Sequence, residues 1–301
     1  MTPSQVSEEQ PSRASKIWER TRVGGSLAVA VALLLWGAST RGGAYWVLAC
    51  GVAMALGCVS ESRALRLFPR PASGQCPALG AIGVLAAGGL LLWRVKPGSD
   101  AAAAHWEILG LLILTVVVVG GLGWMTRLIS RARPLYTLGA LLWICVPLPA
   151  LYLVVIESGV AGLGALILLS KVGDIAGYYT GNLLGARFPH HPFPRLSPGK
   201  TTVGCIGSFA VGAVAGPIVA FAGWLPELRW GWVSALLAAA LINVASQAGD
   251  LLESAGKRRA GVKDSGMLFG PSGGFLDLVD SLLLSVPVWL VAGPMVFVMA
   301  G

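Results

Sequence analysis

Apolar residues run through this chain in stretches too continuous for the alternation of a half-buried strand or the apolar stripe of a surface helix. A bilayer core of roughly 30 Å asks for about 20 apolar residues per helix. Stretches of that kind fall at 23–40, 43–59, 77–93, 107–125, 135–156, 160–186, 202–223, 231–255 and 275–299. The pattern predicts an all-α, polytopic integral membrane protein with about nine transmembrane helices. The second and third stretches are short and rich in Gly and Ala, which suits tilted or partly re-entrant segments. No polar linker long enough to separate one domain from another interrupts the series. The division expected is a tail over 1–22, a transmembrane scaffold over 23–156 and a C-terminal transmembrane region over 160–301. The opening MTPSQVSEEQPSRASKIWER is too polar for a signal peptide and is expected to be a retained cytoplasmic tail.

Composition sharpens this picture. Of 301 residues, 55% are hydrophobic and only 12% charged, against roughly a quarter charged in soluble domains, and the mean hydropathy is +0.74. Those values exclude a soluble globular enzyme, a disordered chain and a nucleic-acid-binding module. The net charge of +8 needs no nucleic acid, because basic loops beside anionic lipid account for it. The five cysteines, Cys50, Cys58, Cys76, Cys145 and Cys205, lack CxxC spacing and lie mostly in apolar stretches, so packing is expected of them and a disulfide framework is not.

Charge distribution then tests the alternation of the spans. With the N-terminus inside, 17 of the 22 Lys and Arg fall on the cytoplasmic side and four, Arg41, Arg94, Lys96 and Arg229, on the other, with Lys171 inside a span. That asymmetry is the one the positive-inside rule requires. Ionisable groups at membrane depth cost several kcal/mol unless paired, hydrated or metal-bound. The first five spans carry essentially none, whereas Lys171, Asp174, Asp250, Glu253, Lys257, Asp264, Asp277 and Asp280 follow from residue 170 onward. The N-terminal half therefore reads as scaffold and the C-terminal half as the site.

Five segments could carry chemistry. GDLLESAGKRRAGVKD (249–264) sets Asp250, Glu253, Ser254 and Lys257 on one helical face. In isolation this could be a solvated helix end with i,i+4 ion pairs. FLDLVDSLLL, however, sets Asp277 and Asp280 on a second acidic face, and two such faces entering one membrane region would repel unless a cation lay between them. Carboxylate oxygens suit Mg²⁺. Before the last span, PSGG (271–274) could turn backbone N–H groups of Gly273 and Gly274 toward an anion, or be a plain flexible turn. LSPGKTTVG (196–204) is no P-loop, since Pro194 occupies the required glycine position. It offers an ammonium and hydroxyls, from Ser197, Lys200, Thr201 and Thr202, or simply a basic loop. KVGDIAGYYTGNLLG (171–185) places Lys171, Asp174, Tyr178 and Gly181 along one face, readable as a buried Lys171–Asp174 pair among close-packing glycines. Adjacent His190 and His191 lack a third soft ligand and do not make a zinc site.

Together these segments resemble the phosphatidate cytidylyltransferase family, the CDP-diacylglycerol synthases. That family's signature runs S-x-x-K-R-x4-K-D, a Gly/Pro turn, then H-G-G-x-x-D-R-x-D. Ser254, Lys257, Arg258, Lys263, Asp264, Gly273, Gly274, Asp277 and Asp280 match its spacing, preceded by G-D-L-x-E-S at 249–254. Upstream, Asp174, Tyr178 and Gly181 approximate D-x-x-A-Y-x-x-G, and Ser197, Pro198, Lys200, Thr201 and Gly204 approximate S-P-K-K-T-x-E-G. The resemblance covers about residues 170–285. Ser272 and Leu278 stand where the family has His and Arg, Gly199 and Val203 where it has Lys and Glu, and Gly256 at an apolar position.

The resemblance implies a membrane enzyme that converts CTP and phosphatidate to CDP-diacylglycerol and pyrophosphate with Mg²⁺. It implies Asp250 and Asp277 as metal ligands, with Asp280 and Asp264 as further ones. Lys257, Arg258 and Lys263 would hold phosphates, and Ser197, Lys200 and Thr201 would meet the nucleotide, with Asp174, Ser272, Gly273 and Gly274 also binding substrate. Region 160–301 would then be catalytic, in a bacterial-type inner membrane, with the N-terminus and site loops cytoplasmic. The partners would be CTP, phosphatidate or a related anionic lipid, and the bilayer, with no nucleic acid; a homodimer is compatible with the chain. Two alternatives stay open: a CTP-dependent polyprenol or phytol kinase, which would release CDP, and a non-catalytic lipid-binding or ion-coupled transport protein using Asp174, Asp250 and Asp277.

Overall fold

The computed structural model of the chain describes residues 13–62, 143–269 and 273–297. Among them the secondary structure is helical, with one isolated antiparallel bridge between Leu228 and Phe297. The helices are α1 (Arg13–Ala38), α2 (Gly43–Ser62), α3 (Leu151–Leu184), α4 (Thr202–Phe221), α5 (Trp232–Ala260), α6 (Phe275–Val279) and α7 (Leu282–Val296). Five segments among the described residues are long and apolar enough to cross a membrane: Gly43–Ser62, Leu151–Leu184, Thr202–Phe221, Trp232–Arg258 and Phe275–Gly293. A shorter apolar stretch, Gly24–Ala38, lies within α1. The expected spans at 77–93 and 107–125, and residues 135–142 of the span expected at 135–156, lie outside the described residues, as do Cys76 and Ser272.

Two expected boundaries take a particular form. The separation anticipated at 157–159 is a break inside α3, where Gly159 adopts φ 67° and ψ −175°. A side chain is disfavoured in that region, and glycine is not. The single span expected over 275–299 is interrupted at Asp280 and Ser281, which keep helical backbone angles. Here Asp280 Oδ1 accepts the N–H of Ser281 at 2.5 Å, a local side-chain bond that competes with the helical ladder.

The site is positioned by α3, α4 and α5 packed side by side, with α7 against α5 and α3 and with α2 against α3 and α6. Small residues permit these approaches, as in other membrane helix pairs. A Cβ on Gly249 would run into the carbonyl of Asp280, so α5 meets the α6–α7 break backbone to backbone. Gly177 and Gly204 bring α3 against α4 in the same way. Around them Leu163, Leu166, Leu169, Ile242, Leu276, Leu283 and Val286 form a continuous buried core. The cysteines at 50, 58, 145 and 205 are free thiols, with Cys58 and Cys145 buried in packing roles.

Candidate active site

The loop at 187–201 joins α3 to α4 and is tied down along its length. Thr201 caps α4, its hydroxyl accepting the N–H of Gly204 at 3.1 Å, which satisfies a donor the first turn would leave unpaired. His190 Nδ1 lies 2.6 Å from the Thr202 hydroxyl and His191 Nδ1 3.2 Å from the Lys200 carbonyl, so the two histidines secure the loop separately. From the end of α5, Arg258 Nε donates to the carbonyl of Leu196 at 3.2 Å. Ser197 shapes the same turn through its backbone, its carbonyl accepting the N–H of Lys200 at 3.1 Å.

This anchored loop closes one side of a cavity of about 460 Å³ between α3, α4 and α5, within the usual range of roughly 300–1,000 Å³ for ligand pockets. Gly177, Gly181, Gly185 and Gly204 form its smooth wall; Asp174, Lys200, Thr201, Ser208, Gln247 and Asp250 supply its polar groups. Lys200 Nζ reaches Asp250 Oδ2 at 2.5 Å, joining the loop to the acidic face of α5.

Beside the cavity, one carboxylate oxygen each from Asp250, Glu253 and Asp280 lie within 4.8 Å of one another. Asp250 belongs to both cavity and cluster. Glu253 is 1% exposed; its Oε2 lies 2.5 Å from Lys257 Nζ, while Oε1 meets no donor. A buried, unpartnered carboxylate oxygen is costly. Its position in an all-oxygen donor set fits a hard divalent cation, for which these three residues are the ligand candidates.

Asp277 is placed differently from the other carboxylates. Its Oδ1 takes Lys257 Nζ at 2.6 Å, and its Oδ2 accepts Ser265 N at 2.8 Å, Ser265 Oγ at 2.5 Å and Gly274 N at 2.8 Å. It therefore fastens Ser265 and Gly274 to the start of α6. The N–H of Leu276 goes to Glu61 Oε2 at 3.0 Å, and Ser265 Oγ to the same oxygen at 3.3 Å. The donors of Gly274 and Leu276 are thus occupied by carboxylates of the chain. Gly273 holds φ 81° in that turn, with the Asp277 carboxylate where a Cβ would go. Lys263 and Asp264 are exposed in the loop after α5, and Asp264 is outside the three-carboxylate cluster.

The structure thus brings together Asp174, Lys200, Thr201 and Asp250 around the cavity, and Asp250 with Asp280 in the cluster. Lys171 pairs with Asp280 at 3.5 Å and donates to the Leu278 carbonyl at 3.0 Å, where the spacing had suggested Asp174 as its partner. Two contributors had been assigned no role from the sequence. Glu253 shares a helical face with Asp250, a signal that was available; Glu61 reaches the site from the N-terminal half, and nothing local marks it.

The sequence profile of the cytidylyltransferase family matches residues 18–295. The chain belongs to that family. Among relatives, it is 41% identical over 120 residues to a phosphatidate cytidylyltransferase of Brucella suis, covering 40% of this chain and 42% of that one. It is 37% identical over 142 residues to the phosphatidate cytidylyltransferase of Mycobacterium leprae, covering 46% and 42%. With an uncharacterized protein of Escherichia coli, YnbB, identity is 38% over 135 residues, covering 44% and 43%. Each matched stretch spans less than half the length of the relative concerned.

Proposed function

We propose that this member of the cytidylyltransferase family joins CTP to phosphatidate, releasing pyrophosphate and forming CDP-diacylglycerol in the membrane. The observation that carries the reading is Asp250. It stands in both the 460 Å³ cavity and the three-carboxylate cluster, so a polyphosphate in the cavity would reach the cation site. Names of relatives support the substrate pair.

In this reading the cavity beneath the 187–201 loop takes the nucleotide, with Lys200 and the capped Thr201 toward its phosphates. Asp250, Glu253 and Asp280 hold Mg²⁺, with Asp277 and Asp264 outside the immediate set and Asp277 acting through Lys257. A divalent cation supplies charge neutralisation and orientation to a triphosphate. Lys257, fixed between Glu253 and Asp277, keeps an ammonium beside the cluster. A phosphate oxygen of the lipid attacks the α-phosphorus of CTP in line, the α–β bridging bond breaks, and pyrophosphate leaves. Because the nucleophile is already anionic, positioning and charge neutralisation are the main catalytic contributions. Seventeen cationic residues on one side orient the 187–201 loop and the end of α5 with the segment after it toward the cytoplasm, where CTP is available.

The test is incubation of the purified chain with labelled CTP, Mg²⁺ and phosphatidate, followed by identification of both products. CDP-diacylglycerol and pyrophosphate are expected. Release of CDP with a phosphorylated alcohol acceptor would assign a lipid kinase, and absence of turnover with both acceptor classes would remove the enzyme reading.

A further inference from the structure

Each carboxylate of the cluster has a lysine of its own, and the three lysines come from three elements. Lys200, in the loop before α4, lies 2.5 Å from Asp250. Lys257, near the end of α5, lies 2.5 Å from Glu253. Lys171, in α3, lies 3.5 Å from Asp280. Lys257 is also gripped by Asp277. Lys171 is the loosely held one: its long ion pair leaves the side chain 35% exposed, and its closest partner is the neutral Leu278 carbonyl at 3.0 Å.

Three carboxylates within 4.8 Å repel one another, and an ammonium offsets each of them, with Lys257 shared between Glu253 and Asp277. A divalent cation that takes these carboxylates meets ammoniums already held on them, and the like charges repel in a region of low dielectric. Cation entry is therefore eased when an ammonium leaves its carboxylate, and the departing ammonium needs another anion. We infer that Lys171 is an exchangeable counter-ion of the cation site. It neutralises Asp280 while the site holds no cation and transfers to a phosphate oxygen of the incoming polyphosphate when the cation takes the carboxylate. Lys171 is thereby a substrate-handling residue that couples cation binding to nucleotide binding. The inference rests on the reading of Asp250, Glu253 and Asp280 as the cation site.

The experiment uses the full chain in detergent and Mn²⁺ as the probe, its affinity read by electron paramagnetic resonance without nucleotide. Lys171→Gln keeps a donor for the Leu278 carbonyl and loses the charge, so Mn²⁺ should bind about tenfold tighter, a value reduced for partial exposure. Lys171→Arg offers Asp280 a planar fork that is harder to displace, so Mn²⁺ should bind several-fold more weakly than to the native chain. A merely structural lysine would weaken binding in both variants. Labelled CTP, dialysed with and without saturating Mn²⁺, should show a smaller Mn²⁺-induced gain in Lys171→Gln than in the native chain, because the coupling is reciprocal. Unchanged or weaker Mn²⁺ binding by Lys171→Gln overturns the proposal. Should that variant fail to fold, tighter binding by Lys171→Arg overturns it equally. A native chain that binds no Mn²⁺ overturns both this inference and the cation site. Neither measurement involves phosphatidate, so opposed shifts without CDP-diacylglycerol synthesis would keep the counter-ion and discard the reaction.

Discussion

Replacing Asp277 with asparagine separates two tasks that a carboxylate in this position could have, cation ligand and internal anchor. The side chain is 10% exposed and its two oxygens receive four donors: Lys257 Nζ, Ser265 N, Ser265 Oγ and Gly274 N. An amide keeps one acceptor oxygen and turns a donor toward either the ammonium or the loop N–H groups. It leaves Lys257, itself only 11% exposed in its side chain, with Glu253 as its one remaining anionic partner. Removing one member of a buried, hydrogen-bonded pair costs about 3–5 kcal/mol, and the surviving Glu253 contact puts the expected loss at the lower end, about 3 kcal/mol. For a chain of this size that corresponds to a fall in Tm on the order of 5–10 °C, measurable by thermal unfolding in detergent. Asp250→Asn is the control. Its side chain is 25% exposed and paired with a 24% exposed Lys200, so it should cost less than about 1 kcal/mol while weakening Mn²⁺ binding more than Asp277→Asn does. If Asp277→Asn melts with the native protein but loses Mn²⁺, the anchor assignment is refuted and the residue is a direct ligand.

Other outcomes follow from the same contacts. Glu61→Gln, which keeps an acceptor for Leu276 N–H, should retain most cytidylyl transfer, whereas Glu61→Leu should lower kcat by freeing the start of α6; equal activity of the two variants would show that the contact is idle. Thr201→Ala removes the α4 cap and a cavity wall group, so a stability loss of about 1 kcal/mol with a raised KM for CTP is expected, and an unchanged KM would place the nucleotide elsewhere. A cysteine introduced at Arg195, in a background without the native cysteines, should resist impermeant thiol reagents in intact cells, and ready labelling would reverse the orientation.

Hydropathy and motif spacing are local properties, and what they determined here is local. Continuous apolar stretches specify helices that must bury their backbone bonds in lipid, and four described segments follow the expected positions closely, including Thr202–Phe221 beside the expected 202–223, while Leu151–Leu184 joins parts of two expected spans across Gly159. Spacing of three and four residues put Asp250, Glu253, Ser254 and Lys257 on one face before any packing was known. A face does not say what it meets. Asp277 and Asp280 are three residues apart, and the sequence pointed to Asp277 before Asp280, yet Asp280 meets Asp250 and Glu253 while the loop donors claim Asp277. Glu61 lies 215 residues from Leu276, and Lys171 109 residues from Asp280. Those partnerships join elements distant in sequence, and glycines open the approaches around them: Gly274 faces the Glu61 carboxylate, and Gly249 lets α5 reach the backbone of Asp280. Which carboxylate is tied down by a loop and which is left facing its neighbours depends on the donors that surround each one, and tertiary packing supplies those donors.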